Sequence, residues 1–348
     1  MKIRIKDIAR LANVSPGTVD RVIHNRGEVS ETTRHKVSSI LQELDYQPDL
    51  LASALASKRS YLFSVLMPVS ANDSNFWNAP VKGIEKAIKE ISPFGVRIKY
   101  FLFNQYQRQS FLNEAKALLE DKPDAILFAP VFPKDSVDFI EECIGHEIPV
   151  VLFNSNLDDL EGIPYVGQDA IQSGYLGAKL LHFGISSEGD ILVLNIAGRK
   201  DNHNHIIKRE RGFRKYFSEH ARGFGITTLE MNQPTEREFQ KQLENSLKYI
   251  RLKGIFVTNS RVYKVARYLE MHQMDQIRLV GFDLLTDNVD YLKKGVIDFL
   301  ISQKPEEQGY RGIMTLFDQL IRKQKISGKY HLPIDIITKE NIDFYEYR

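Results

Sequence analysis

The sequence predicts an α/β chain in two parts: an N-terminal helix-turn-helix unit of three helices with a short trailing segment of helical propensity, then a two-lobed body built on doubly wound parallel sheets. Three observations carry this expectation. Helical spacing with cap residues runs up to about residue 60; from Tyr61 the texture changes to short apolar strands alternating with amphipathic helices; and that alternation runs through twice in succession. The 348 residues, at roughly 150 per domain, leave room for two to three domains and more than one core.

Lys6 to Ala12 reads as a short helix with Ile8, Leu11 and Ala12 on one face, and Asn13-Val14 breaks it. Ser15 then offers an N-cap and Pro16 a first helical position, which start a second helix reaching Ile23. Val19, Val22 and Ile23 face inward, so Gly17, Asp20 and Arg21 turn outward. Two short helices joined by a tight turn form a unit whose second helix fits a DNA major groove. A small helical bundle used for protein contacts is the other reading of these residues alone. Ser30 caps a third helix, in which Val37, Ile40, Leu41 and Leu44 repeat until Tyr46-Gln47-Pro48 ends it. Residues 49–60 have helical propensity, but so short a segment needs a partner to order it.

In the body, Leu62 to Val69, Val96 to Phe103, Asp124 to Pro130 and Pro149 to Phe153 read as buried strands, with helical patterns such as Val81 to Ile91 and Phe111 to Leu119 between them. Asp190 to Ile196, Phe224 to Met231, Gly254 to Thr258, Ile277 to Phe282 and Val296 to Ser302 form the second series. Ligands of such sheets bind beyond the carboxyl ends of the strands, so a shared ligand lies in the cleft between the lobes. Polar groups and rings stand at these strand ends. Asn72, Asp73, Ser74, Phe76 and Trp77 follow the first strand, Asn154 the Pro149 strand and Asn259 the Gly254 strand, while Asp283 and Gln303 end the last two. Amides, carboxylates and an arginine fork serve hydroxyl groups, and flat rings cover a C–H face, an inventory suited to a sugar. The run Asp201-Asn202-His203-Asn204-His205 reads as a loop, as a ligand contact through His205, or as part of a metal site whose further ligands the sequence does not supply.

Composition sets the outer bounds. With 43% hydrophobic and 26% charged residues the chain is an ordinary globular one, and its net charge of +2 does not by itself call for nucleic acid. Residues 1–60 carry ten Lys/Arg against seven Asp/Glu, a mild basic bias. The single cysteine, Cys143, makes no intramolecular disulfide, the N-terminus has no apolar signal run, and no stretch approaches about 20 apolar residues. Those features point to the cytoplasm. No G-x-G-x-x-G, G-x-x-x-x-G-K-[ST] or G-x-S-x-G motif marks an enzyme, and no cofactor is expected.

Ile5-Lys6-Asp7-Ile8-Ala9, Ala12-Asn13-Val14-Ser15, Thr18-Val19, Arg21-Val22, Val29-Ser30, Thr33-Arg34, Val37, Leu44, Tyr46, Pro48 and Leu55-Ala56 together resemble the DNA-binding headpiece and hinge of the LacI/GalR family of transcription regulators. Residues from about 61 to 340 are similar, more loosely, to the periplasmic-sugar-binding-protein-like effector domain of that family, through Val280-Gly281-Phe282-Asp283, Ile301-Ser302-Gln303-Lys304-Pro305 and Arg209-Glu210-Arg211-Gly212-Phe213. The resemblance implies a headpiece over 1–48, a hinge over 49–60 and an effector domain over 61–348. Lobe 1 would hold about 61–167 and 304–328, and lobe 2 about 168–303 and 329–348, with crossovers near Gly167-Gln168, near Gln303-Lys304 and within 325–333.

It also implies roles. Lys6, Ser15, Pro16, Gly17, Thr18, Asp20, Arg21 and Asn25 would meet DNA, with Leu55 as a minor-groove wedge. Asn72, Asp73, Ser74, Phe76, Trp77, Asn154, His205, Arg209, Asn259, Asp283 and Gln303 would bind the effector, Arg209 standing at the position of a ligand-binding arginine. The function implied is a repressor acting as a homodimer on near-palindromic operator DNA, controlled by a small sugar-like effector, in the cytoplasm and on the nucleoid when bound, without a metal or a membrane. Departures from the pattern are Pro16-Gly17, which cannot reach base edges through side chains, Asp20 in place of a commoner serine, and Ser155 and Ser260 where relatives often carry Arg or Asp. The alternative is a cytoplasmic sugar-binding protein or sugar-processing enzyme without a DNA role.

Overall fold

A computed structural model describes residues 3–23, 26–27, 29–46, 59–70, 75–157, 160, 162–185, 188–197, 204–248 and 251–346. The chain divides into two compact units, Met1–Arg59 and Ser60–Arg348. The expected hinge lies almost wholly outside the described residues, as do Asn25, Leu55, Asn72, Asp73, Ser74 and His203.

The first unit holds α1 (Ile5–Ala12), α2 (Pro16–Ile23) and α3 (Glu31–Glu43). Asn13 closes α1 in the left-handed conformation, φ 54°, which a short amide side chain tolerates, and the Val14 N–H returns to the Ala9 carbonyl at 2.9 Å. Ser15 Oγ accepts from the Thr18 N–H at 3.1 Å and Pro16 fills the first helical position, so the turn between the two helices is set by local chemistry. Ser30 caps α3 by accepting from the Thr33 N–H. Ile8, Ala9, Ala12, Val19, Val22 and Val37 form the buried core. Leu11 corrects the expectation for α1: it is 55% exposed, and Ala9 takes the buried place beside Ile8 and Ala12. The inward stripe is thus rotated by part of a turn from the one that spacing suggested.

The second unit holds two six-stranded sheets. Lobe 1 has β1 (Tyr61–Pro68), α4 (Asn78–Ile91), β2 (Val96–Phe103), α5 (Arg108–Glu120), β3 (Ala125–Phe128), α6 (Pro133–Gly145), β4 (Val150–Phe153) and β5 (Tyr165–Gly167). Lobe 2 follows with α7 (Ala170–Phe183), β6 (Asp190–Ala197), α8 (Asn204–His220), β7 (Gly225–Asn232), α9 (Glu236–Leu247), β8 (Leu252–Val257), α10 (Val262–Met271), β9 (Arg278–Phe282), α11 (Thr286–Lys294) and β10 (Phe299–Ser302). The chain returns to lobe 1 in α12 (Pro305–Leu320) and β11 (Lys329–His331), then to lobe 2 in β12 (Asp335–Ile337) and α13 (Asp343–Glu346). Sheet orders are β11-β5-β4-β3-β1-β2 and β12-β10-β9-β8-β6-β7, and every pairing is parallel except β12 with β10. This is the doubly wound arrangement expected, with helices on both faces of each sheet.

Strand β11 moves one boundary. It pairs with β5, register Lys329 with Tyr165, so the third crossover falls after His331, and residues 329–331 belong to lobe 1 rather than lobe 2. The three crossovers lie side by side: Gln168, in the first, donates through Nε2 to the Ser302 carbonyl of the second at 2.6 Å and to the Pro333 carbonyl of the third at 3.3 Å. Helix α8 is seated by close backbone approach to α7. A Cβ at Gly174 would lie 1.9 Å from the Arg209 carbonyl oxygen, and only glycine lets the helices come together there. No helix among the described residues is long and apolar enough to cross a membrane.

Candidate ligand cleft and nucleic-acid interface

Loops from the carboxyl ends of strands in both lobes converge on one cleft of about 520 Å³, open solvent at its mouth included. Every candidate effector residue that the structure describes lines it. Lobe 1 contributes Phe76 and Trp77 ahead of α4, and Asn154 after β4; lobe 2 contributes His205 and Arg209 from α8, Asn259 after β8, Asp283 after β9 and Gln303 after β10. Asn154 and Asp283 hold equivalent places in the two lobes, each after the fourth strand of its sheet, and both take left-handed backbone, φ 66° and 69°. Phe76 and Trp77 serve the lobe 1 core as well as the cleft: the rings meet edge to face at 5.1 Å, and Trp77 meets Phe153 at 6.2 Å.

The polar floor is a buried triad. Arg209, 2% exposed, donates through Nη1 to the Thr258 carbonyl at 2.7 Å and through Nη2 to Gln303 Oε1, and its guanidinium lies over the Phe282 ring at 3.8 Å from the centroid. Gln303 donates through Nε2 to Asp283 Oδ2 at 2.6 Å, and its backbone N–H reaches Oδ1 at 3.3 Å. The Gln303 amide therefore links the cation to the carboxylate. Burial pushes the Asp283 carboxyl up to about 6, against the opposing pull of Arg209 and the Gln303 hydrogen bonds. Burial lowers Arg209 to about 10, against the nearby Asp283 and Tyr165. Arg209 Nε is buried without a partner among the described residues, a donor that a ligand oxygen can satisfy.

Sequence reasoning missed Gln105, Tyr106 and Arg261, which also line the cleft. Gln105 and Tyr106 follow β2, so the same strand-end rule reaches them; Arg261 stands two residues beyond Asn259. Asn259 itself is partly committed, donating to the Ile196 carbonyl at 2.6 Å and accepting from the Arg261 N–H at 3.2 Å. Across the cleft, Arg261 donates through Nη2 to the Tyr106 hydroxyl, and Asn204 Nδ2 donates to the Asn156 carbonyl at 3.0 Å, so the two lobes are already bridged. Among the described residues no group of three His, Cys, Asp or Glu could hold a metal.

On the first unit, Lys6, Ser15, Pro16, Gly17 and Arg21 are exposed, while Thr18 and Asp20 are half-buried. The hydroxyls of Ser15 and Thr18 bond each other at 2.9 Å at the start of α2. The Asp20 carboxylate lies 3.7 Å from the Arg26 guanidinium, which offsets the repulsion a lone carboxylate would exert on phosphates.

Residues 4–49 match the family described as bacterial regulatory proteins, lacI family, and residues 63–325 match the periplasmic binding protein domain. The sucrose operon repressor of Pediococcus pentosaceus is 27% identical over 97% of this chain and 98% of its own. That of Streptococcus mutans is also 27% identical, over 98% of this chain and the whole of the other. Among solved structures, a Bacteroides fragilis protein classed as a candidate LacI transcriptional regulator aligns with TM-score 0.78 and 31% identity over 82% of this chain and all of its own.

Proposed function

The chain belongs to the LacI family of bacterial regulatory proteins, and on that premise we propose that it is a sugar-responsive repressor, not an enzyme, whose operator affinity is set by a small sugar held between the two lobes. The observation that carries this reading is the convergence of strand-end groups from both lobes on one cleft, with the Asp283–Gln303–Arg209 triad as polar floor and Phe76 and Trp77 as apolar wall. Hydroxyl groups need both donors and acceptors, and a ring's C–H face needs flat apolar cover; the cleft offers both. Full-length relatives named for sucrose operons support a sugar as the class of effector.

The protein acts as a homodimer on a near-palindromic operator, because a single helix-turn-helix offers little area and two-fold symmetry calls for matched half-sites. Helix α2 presents Arg21 to the major groove, and Leu55 wedges the minor groove. It works in the cytoplasm, on the nucleoid when bound. Effector closes the cleft and releases DNA, since a ligand shifts the balance between two lobe arrangements only by binding one of them better.

Fluorescence anisotropy with the upstream DNA of its own gene, read at several salt concentrations and with a panel of sugars, tests the reading. The expected result is salt-dependent binding to a palindromic site that one sugar weakens. A chain that binds sugar yet shows only nonspecific DNA affinity would instead be a binding protein.

A further inference from the structure

A second pocket opens beside the cleft, sharing Asn154 and His205 with it and lying against the crossovers. Basic side chains reach it from both lobes: Lys208 and Arg211 on α8 and Lys329 on β11, with the His331 imidazole beside Lys329. Neither Arg211 nor Lys329 pairs with a carboxylate among the described residues. Asp169 also lines the pocket as a carboxylate, with Oδ1 capping α7 by accepting from the Gln172 N–H at 3.0 Å, so the lining side chains carry three Lys/Arg against one Asp. Gln168 adds an independent sign. It is 5% exposed, both acceptors of its Nε2 are carbonyls, so the amide cannot be turned over, and its buried Oε1 has no partner among the described residues.

Arg211 and Lys329, both exposed, line the same pocket from opposite lobes, and an anion held between them would offset their mutual repulsion. The pocket therefore supplies charged donors for a multiply charged oxyanion and one buried acceptor for a hydroxyl. We propose that it is a phosphate subsite, and that the effector in the adjoining cleft carries a phosphomonoester whose oxygens bridge Arg211 of lobe 2 and Lys329 of lobe 1. This rests on the reading of the cleft as a sugar site. Free inorganic phosphate bound beside a neutral sugar offers the same chemistry, and the test separates the two sources.

The full-length protein is titrated by calorimetry in chloride buffer with inorganic phosphate and with a set of hexose 6-phosphates, each beside its parent hexose. The same titrations are run on Arg211→Gln/Lys329→Gln and on Lys241→Gln, an exposed α9 cation outside the pocket, with circular dichroism confirming the fold of each. Phosphate is expected to bind the wild type and Lys241→Gln saturably and the double variant at least tenfold more weakly. A hexose phosphate that binds at least tenfold tighter than its parent, with the advantage lost in the double variant, places the phosphate on the effector. Saturable phosphate with no such advantage makes free phosphate the occupant and overturns the phosphorylated effector while the subsite stands. Phosphate that fails to bind, or binds the double variant as tightly as the wild type, overturns the subsite. Binding of phosphate with no sugar of either form bound retains the subsite and removes the sugar reading of the cleft.

Discussion

The guanidinium of Arg261, in the second lobe, donates to the phenol oxygen of Tyr106, in the first. The same guanidinium donates through Nη1 to the Ile196 carbonyl at 2.6 Å, so the cross-lobe contact is anchored at its lobe 2 end. A hydrogen bond to a charged donor is worth about 1.5–3 kcal/mol where water is excluded, and less at a cleft mouth. Removing the hydroxyl in Tyr106→Phe keeps the ring and loses the bridge. Effector affinity should fall about three- to tenfold by calorimetry, with the free protein more expanded in small-angle scattering; unchanged affinity and dimensions would mean the bridge does not set lobe closure.

Asp283→Ala should abolish the response to effector while operator affinity without effector stays nearly unchanged. Asp283 lies at the cleft floor, and the loss of its charge-assisted hydrogen bonds costs about 1.5–3 kcal/mol, roughly ten- to over a hundredfold in effector affinity. DNA titrations with and without effector decide it. A variant that responds at the wild-type effector concentration removes Asp283 from the ligand set.

The same carboxyl predicts a pH dependence. Its pKa rises from 3.8 to about 6 on folding, so the folded chain holds the proton more tightly, and this group's contribution to stability declines as pH rises through that window. A sugar hydroxyl donating to the carboxylate favours the ionised form. Effector binding should then weaken below about pH 6, by up to roughly tenfold per pH unit, and Asp283→Asn should flatten that dependence. A wild-type profile already flat between about pH 4.5 and 7.5 would contradict the assignment.

Gly17 lies exposed on α2, and a Cβ there meets only Ser15 Oγ, at 3.8 Å. Gly17→Asn should therefore fold normally and gain a side chain able to reach a base edge, changing the preferred operator in a selection from randomised DNA. Arg21→Ala should cost about 1–3 kcal/mol at one base position if it reads guanine, or lower the salt slope by about one if it holds a phosphate. An identical operator preference and affinity in both variants would place the reading surface elsewhere.

A fragment beginning at Ser60 should fold and bind effector but not operator, because each unit has its own apolar core. Thermal shift with effector and anisotropy with operator check the two halves of that statement.

Much of this was legible in the chain. Ser15-Pro16 and Ser30 start their helices through local hydrogen bonds, and the nine expected strands appear as apolar-rich runs, largely buried except in β2 and β7 at the sheet edges. The strands missed, β5, β11 and β12, are three residues each, too short to show a period, and exist because a sheet edge was there to pair with. Leu11 shows the same limit on a helix: spacing names a face, but neighbouring helices choose its exact rotation.

At the cleft, the sequence alone determined which residue types stand at strand ends, since polar groups after apolar strands follow from the doubly wound pattern. Tertiary structure decided how they combine. Arg209, Gln303 and Asp283 are far apart in the chain yet share one hydrogen-bonded floor, and Tyr106 meets Arg261 across two lobes. Burial, which moves Asp283 up to about 6, and the pooling of Arg211 with Lys329 on one pocket are likewise properties of packing. Local sequence fixes what each backbone segment can bond to nearby; which distant groups lose water together, and what charge they then carry, depends on chain segments that only the folded lobes bring into contact.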